Sequence, residues 1–289
     1  MVKFRFLGTS AGEQYPGFWC RCPNCHRSRT LGGKNLRRNT SAYLMPDCLI
    51  DLPAEICLQA ERFNVSLIDT RYLLVTHSDK DHLYPYLLRW RYRRPGTPTP
   101  PPLDAVGPRF SEIEKLTICG NKAVCELIAD ELDDMSDVGS EAYMVELRKV
   151  KPFENLSLGD MEIETLRANH GQGEDAMNYI IRRGGKTILY GLDTGWFLPE
   201  TYKAIKGHKF DLVVLEATFG DGRASDGHFN FDLLKKAHRS FIEDGLLNEG
   251  STFCATHFCP HFSPVHDLVA PRLAVEGIVA SYDGMEIEL

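Results

Sequence analysis

The stretch that most constrains this chain is Val75-Thr76-His77-Ser78-Asp79-Lys80-Asp81-His82. The run Arg71-Tyr72-Leu73-Leu74-Val75 before it reads as a buried strand. After it, Leu83, Leu87 and Trp90 recur at helical spacing, with Pro85 tolerated in the first turn. Two imidazoles and two carboxylates therefore share one strand-to-helix loop. Alternate side chains of a tight loop diverge, so His77 and Asp79 can serve one cation while Asp81 and His82 serve a second. These donors suit zinc, iron or manganese. A helix N-cap accounts for one aspartate but not for the other three donors.

A chain of 289 residues, 43% of them hydrophobic, is long enough for a sizeable core in one large α/β domain or two small ones. The net charge of −7 argues against a general polyanion binder and leaves room for a local basic patch. No run of 18 apolar residues exists to span a membrane. Met1-Val2-Lys3-Phe4-Arg5-Phe6 lacks the apolar region of a signal peptide. Nine cysteines, an odd number, do not make a fully paired disulfide set. A cytoplasmic location with reduced, buried or metal-bound thiols is expected.

Taken in order, Lys3 to Leu7 reads as a strand, and Gly8-Thr9-Ser10-Ala11-Gly12 turns the chain. Cys20-Arg21-Cys22-Pro23-Asn24-Cys25 then packs three thiols into a polar loop. That suits a structural tetrahedral zinc in need of a fourth ligand. Ser41 to Leu44 and Cys48 to Asp51 read as a hairpin, and Pro53 to Phe63 as a helix. Arg89-Trp90-Arg91-Tyr92-Arg93-Arg94 interleaves cations and aromatics as a nucleic-acid grip does. Cations at a helix end before Pro95 explain it more simply. A strand is expected over Leu103 to Val106, a helix over Ser111 to Ile128, and an acidic loop over Asp130 to Asp137.

Met144 to Val150 and Met161 to Ala168 read as strands, the second running into Asn169-His170-Gly171. Met177 to Arg183, Gly184-Gly185 and Lys186 to Tyr190 form the clearest hairpin, which leads to Asp193. Asp211 to Glu216 is an apolar strand, followed by a loop with His228 and a helix over Phe231 to Ile242. Ser251 to Thr256 delivers His257, with Cys259 and His261 behind it. A final helix and a strand over Met285 to Leu289 close the chain. Each half carries antiparallel strands followed by strand–helix units, a coarse duplication. Several strands thus end in His or Asp, and loops at one sheet edge can bring such residues together.

These residues resemble the metallo-β-lactamase superfamily. Its H-x-H-x-D-H loop corresponds to His77-Ser78-Asp79-Lys80-Asp81-His82. The downstream motifs correspond to His170 in Asn-His-Gly, Asp193 in Leu-Asp-Thr-Gly and His257 in Ala-Thr-His-Phe. Asp51 stands at the family's acidic position after the hairpin. The beginning, Leu7 to Gly12 with the Cys20 cluster, is similar to the PhnP-type cyclic phosphodiesterases. Glu216-Ala217-Thr218-Phe219 with Gly227-His228 is similar to the transfer-RNA 3′-end endonucleases. The cysteine loop also resembles the type B protein of PQQ synthesis. One departure is Asp79, which stands where the family has a second His.

The resemblance implies one αβ/βα four-layer domain over 1–289, two mixed β-sheets flanked by helices, with a zinc loop near 20–25. It implies a first ion on His77, Asp79 and His170, a second on Asp81, His82 and His257, and Asp193 bridging them. The two divalent ions would be zinc, manganese or iron, and Asp79 shifts the preference toward harder ions. A structural zinc on Cys20, Cys22, Cys25 and His261, with Cys259 as rival to His261, would be a third. The implied activity is phosphodiester hydrolysis by metal-activated hydroxide, with Asp81 orienting it and His228 as acid or phosphate contact. The expected substrate is a small or cyclic nucleotide-like diester, with RNA less favoured, no membrane partner and a homodimer. The alternatives are a non-hydrolytic metal-binding, redox or PQQ-synthesis-like protein, and a thioester or lactone hydrolase.

Overall fold

The computed structural model describes residues 1–93, 103, 112–133, 140–171, 173–223 and 225–289. The first sheet contains β1 (Lys3–Gly8), β2 (Ser41–Leu44), β3 (Cys48–Ile50), β4 (Tyr72–Leu74), β5 (Leu116–Gly120) and β6 (Val145–Lys149). The second contains β7 (Asn155–Leu158), β8 (Met161–Arg167), β9 (Met177–Arg183), β10 (Lys186–Gly191), β11 (Phe210–Glu216), β12 (Leu247–Thr256) and β13 (Val279–Ala280). The last strand, β14 (Glu286–Glu288), returns to the first sheet beside β1. Among the described residues each sheet has seven strands, in nearly sequential order.

The expected duplication is present. In the first sheet β1, β2 and β3 pair antiparallel, and β3 to β6 pair parallel. In the second, β7 to β10 pair antiparallel and β10 to β13 parallel. The parallel strands send their C-terminal ends to one edge, where ligand-bearing loops collect in α/β sheets.

The strand sequences dictate this layering. In β10 and β11, Ile188, Tyr190, Leu212 and Val214 face the core between the sheets, where they meet Phe4, Leu44, Ile50 and Leu74. Their alternates Leu189, Val213 and Leu215 face the outer helices. Both faces are buried, so the period-two pattern reads as a continuous apolar run. Helices α4 (Pro199–Ile205), α5 (Phe231–Glu243) and α6 (His266–Ala274) cover the second sheet. In α5, Phe231, Leu234, Ala237 and Phe241 form the buried stripe, and the Asn230 side chain caps the helix by accepting from the Leu233 amide. Helices α2 (Ile56–Arg62) and α3 (Lys122–Asp133) cover the first sheet. The four-layer sandwich expected from the resemblance is the fold observed.

Three local expectations fail. Ser111 to Ile128 is not one helix: β5 occupies Leu116–Gly120, and α3 begins only at Lys122. Parallel pairing of β5 with β4 and β6 decides the first half. The Asn121 side chain, accepting from the Val124 amide at 2.9 Å, starts the second. The segment after His82 is a 3₁₀ turn over Pro85–Arg91 rather than an α-helix. The acidic stretch from Asp130 belongs to α3 as far as Asp133, and 134–137 lie outside the described residues. Elements the sequence did not announce include β7, β13, α4 and α1 (Pro23–Leu31), the last within the cysteine region. The strand expected over Leu103 to Val106 lies outside the described residues except for Leu103, as does Arg94.

Among the described residues no helix is long and apolar enough to cross a membrane. In the Arg89 region, Arg89 pairs with Glu131 and Arg91 donates to the Glu114 carbonyl at 2.6 Å.

Candidate metal centre

The strand ends bring the expected donors together. The loop after β4 supplies His77, Asp79, Asp81 and His82; the loops after β8, β10 and β12 supply His170, Asp193 and His257. Ring nitrogens and carboxylate oxygens gather in two groups, His77 with His170 and Asp193, and Asp81 with His82 and His257, each within 4.8 Å. Asp193 Oδ2 lies 2.8 Å from His82 Nε2 and 3.3 Å from His257 Nε2, so this carboxylate joins the groups. Asp79 sits on the open side, 59% exposed, with Oδ2 at 3.3 Å from His77 Nε2 and 3.7 Å from His170 Nε2. Asp81 lies 3.4 Å from His82 Nε2 and 3.7 Å from His257 Nε2.

Buried carboxylates on each side hold the rings. Asp51 accepts from the Thr76 amide at 2.8 Å, from Thr76 Oγ1 at 3.0 Å and from His82 Nδ1 at 2.9 Å. Thr76 Oγ1, having donated to Asp51, accepts from His77 Nδ1 at 3.0 Å. Glu216 repeats the device on the second sheet. It accepts from the Thr194 amide at 2.7 Å, from Thr218 Oγ1 and from His228 Nδ1 at 2.9 Å. Thr218 Oγ1 in turn accepts from His257 Nδ1 at 2.9 Å. Each carboxylate therefore fixes two imidazoles, one directly and one through a threonine. The Nε2 lone pairs of His77, His82 and His257 are left to face the centre.

The backbone here is unusual. Asp51, Asp193 and His257 adopt φ of 61°, 41° and 58°, a left-handed region costly for non-glycine residues and concentrated at functional sites. A Cβ on Gly195 would overlap the Asp226 carbonyl oxygen. Glycine there lets the Asp226-Gly227-His228 loop close over Asp193, and His228 Nδ1 lies 3.5 Å from Asp193 Oδ1.

The local field favours positive charge at the centre. The His170 and His77 rings against it hold Asp79 well below the usual carboxylate range. Burial opposes ionisation of Asp81 and Asp193, yet the charges of His82 and His257 hold both low. Burial likewise opposes charging of His82, and Asp81, Asp193 and Asp51 together raise it well above the ordinary imidazole value. His228 is raised by Glu216 against its own burial.

The cysteine region reaches the C-terminal half, as expected. Cys20, Cys22 and His261 gather within 4.8 Å, and Cys20 Sγ lies 3.9 Å from His261 Nδ1. Cys25 is adjacent, its amide donating to Cys22 Sγ at 3.4 Å, and burial pushes its thiol up to about 12. Cys259, the rival, groups instead with Glu13 and His261, its Sγ 3.4 Å from Glu13 Oε2.

Sequence reasoning gave no role to Glu216, Thr76, Thr218 or Glu174. Glu174 accepts from Ser78 Oγ at 2.8 Å and from Asn121 Nδ2 at 2.6 Å, tying the His170 loop to the His77 loop. The Glu-Ala-Thr motif offered a signal for Glu216 and Thr218, since a carboxylate and a hydroxyl two residues apart at a strand end can serve neighbouring loops.

No curated protein matches the chain by sequence. Among solved structures, a diphosphatase of the PhnP family aligns with TM-score 0.73 at 18% identity, covering 100% of this chain and 97% of its own. Zinc-bound PqqB from Methylobacterium extorquens aligns with TM-score 0.72 at 15% identity, covering 99% and 100%. Human short-form tRNase Z aligns with TM-score 0.65 at 15% identity, covering 99% and 98%. A family model described as the beta-lactamase superfamily domain matches residues 44–247. With that match over more than half its length and this fold around it, the chain belongs to the beta-lactamase superfamily.

Proposed function

We propose that this protein is a metal-dependent hydrolase of phosphodiesters, acting on a small or cyclic nucleotide-like substrate. The observation that carries the reading is the convergence of two donor groups on Asp193. Divalent ions fit it: His77 Nε2 and Asp193 Oδ2 are buried and make no well-aligned hydrogen bond, although Asp79 Oδ2 and His82 Nε2 lie against them at 3.3 Å and 2.8 Å. His82 Nε2 and His257 Nε2 face each other at 3.2 Å while their Nδ1 atoms are engaged elsewhere. His77, Asp79 and His170 would hold one ion, Asp81, His82 and His257 a second, and Asp193 would lie between. When bound, such ions supply Lewis acidity toward a phosphoryl oxygen and a water of lowered pKa. Asp79 in place of an imidazole favours manganese or iron beside zinc.

The remaining chemistry falls to the chain. Asp51 and Glu216 hold the imidazole tautomers. Asp81, 21% exposed, would orient the attacking water. His228 gives Nδ1–H to Glu216, so Nε2 is the atom that can donate to the leaving alkoxide, a role worth about 10²–10⁴ in rate. Neighbours of the same fold include, by name, a diphosphatase and a tRNase. This phosphate chemistry favours the diester reading over thioester or lactone hydrolysis. In the cysteine region, Cys20, Cys22, Cys25 and His261 would hold a structural zinc. Glu13 Oε1, 3.5 Å from His261 Nε2, would orient that ring.

The test is turnover of bis(p-nitrophenyl) phosphate by purified protein, stripped of metal and then given manganese or zinc. Metal-dependent hydrolysis is expected, reduced at least tenfold by His228→Ala with metal content unchanged. Fully loaded protein inert on this ester and on cyclic nucleotides would refute the reading.

A further inference from the structure

The chain is acidic overall, yet from Gln14 to Pro46 it contains no Asp or Glu and carries Arg21, Arg27, Arg29, Lys34, Arg37 and Arg38. Arg37 is buried, whereas Arg21, Arg27, Arg29 and Lys34 are exposed. Among the described residues none of these four joins an ion pair. Arg29 donates to the Cys20 carbonyl at 2.9 Å and the Gly17 carbonyl at 2.7 Å, which pins the loop before α1 while leaving its charge without a counter-ion. On that pinned loop Trp19 is 100% exposed and Phe18 60%. A large indole held wholly in water on a fixed loop marks a contact surface.

The surface continues to the metal centre. Cys20 touches His261. The next residue, Phe262, packs edge-on against Phe219 with ring centroids 4.9 Å apart. Phe219 meets His228 at 5.3 Å. Aromatic rings thus lead from the catalytic edge toward a patch of unpaired cations.

We propose that this surface binds a single-stranded oligonucleotide, with bases stacked on Trp19 and Phe18 and backbone phosphates on Arg21 and Arg29, which line one concavity with them, and leads it into the His228 edge of the site. This rests on the phosphodiesterase reading and widens its substrate from small or cyclic diesters to the diesters of a strand. Exposed aromatics interleaved with cations are how single strands are held without base readout, because every base has a stacking face. A duplex keeps its bases paired and offers those rings nothing. A second copy of the chain docked patch to patch would set cations against cations.

The experiment is fluorescence anisotropy of the full chain with a labelled ten-residue deoxythymidine strand and a duplex of equal length. It is run over a salt series, with strand integrity checked on a gel. Trp19→Ala should weaken single-strand binding about tenfold, within the range of losing one stacked base. Arg21→Glu should weaken it and lower the salt slope by about one or more phosphate contacts. Both variants should keep bis(p-nitrophenyl) phosphate turnover, so losses on the oligonucleotide appear in KM rather than kcat. Unchanged affinity in Trp19→Ala, equal affinity for the duplex, or a dimer that Trp19→Ala converts to monomer would each overturn the proposal. If the unsubstituted chain fails to cleave bis(p-nitrophenyl) phosphate, the hydrolase reading falls instead, and the anisotropy result still decides this one.

Discussion

Asp51→Asn changes no volume and should still empty half of the metal centre. The carboxylate of Asp51 accepts from two donors of Thr76 and from His82 Nδ1, and it has no exposure to water. Asparagine retains one acceptor oxygen. If that oxygen stays on Thr76, the amide NH2 faces His82 Nδ1, and the ring relaxes by moving its proton to Nε2. If the oxygen turns to His82, the NH2 opposes the Thr76 amide, leaving buried donors unsatisfied at about 1–3 kcal/mol. The first arrangement costs less, but it takes the His82 lone pair away from the centre. Loss of such an orienting partner costs about 10–100-fold in metal affinity, equivalent to about 1.4–2.8 kcal/mol. The assay is competition for zinc or manganese against a chromophoric chelator, with the His82 tautomer read from ring nitrogen chemical shifts. Affinity within about twofold of the unsubstituted protein, with His82 still protonated at Nδ1, would refute the reasoning.

Three further outcomes are expected. Asp193→Ala should lose at least one ion and all measurable diester turnover, because its carboxylate lies against both donor groups; metal analysis and the bis(p-nitrophenyl) phosphate assay check it together. Asp79→His should keep the fold, since Asp79 is the most exposed of the donors, and shift metal preference toward zinc; competition between zinc and manganese reads the shift. Cys22→Ser should remove about one zinc per chain and lower the melting temperature, while folded protein keeps most of its turnover. Unchanged zinc content and an unchanged melting temperature would count against the cysteine site.

The donors were legible because apolar strands announce them. Leu73 to Val75 precede His77, Ile188 to Tyr190 precede Asp193, and Phe253 to Ala255 precede His257. The four-layer arrangement was legible because both halves repeat the change from antiparallel to strand–helix connections. What escaped were features set by distant partners. Leu116–Gly120 is a strand only because β4 and β6 flank it. Thr76 and Thr218 look like ordinary strand-end residues until their hydroxyls are seen between a carboxylate and an imidazole. Glu174 lies 96 residues beyond the Ser78 it holds, and no local pattern links them.

The return of β14 to the edge of β1 gives the chain a schedule. Lys3 meets Glu286 across 283 residues. At translation rates of about 5–20 residues per second, β1 therefore leaves the ribosome roughly 14–57 s before its edge partner exists. An open strand edge invites pairing with other nascent chains. Lys3 and Arg5 on this one discourage that while it waits, and later become the partners of Glu286, with Lys3 also meeting Glu288. The same two cations thus guard the strand against aggregation early and select its correct neighbour late.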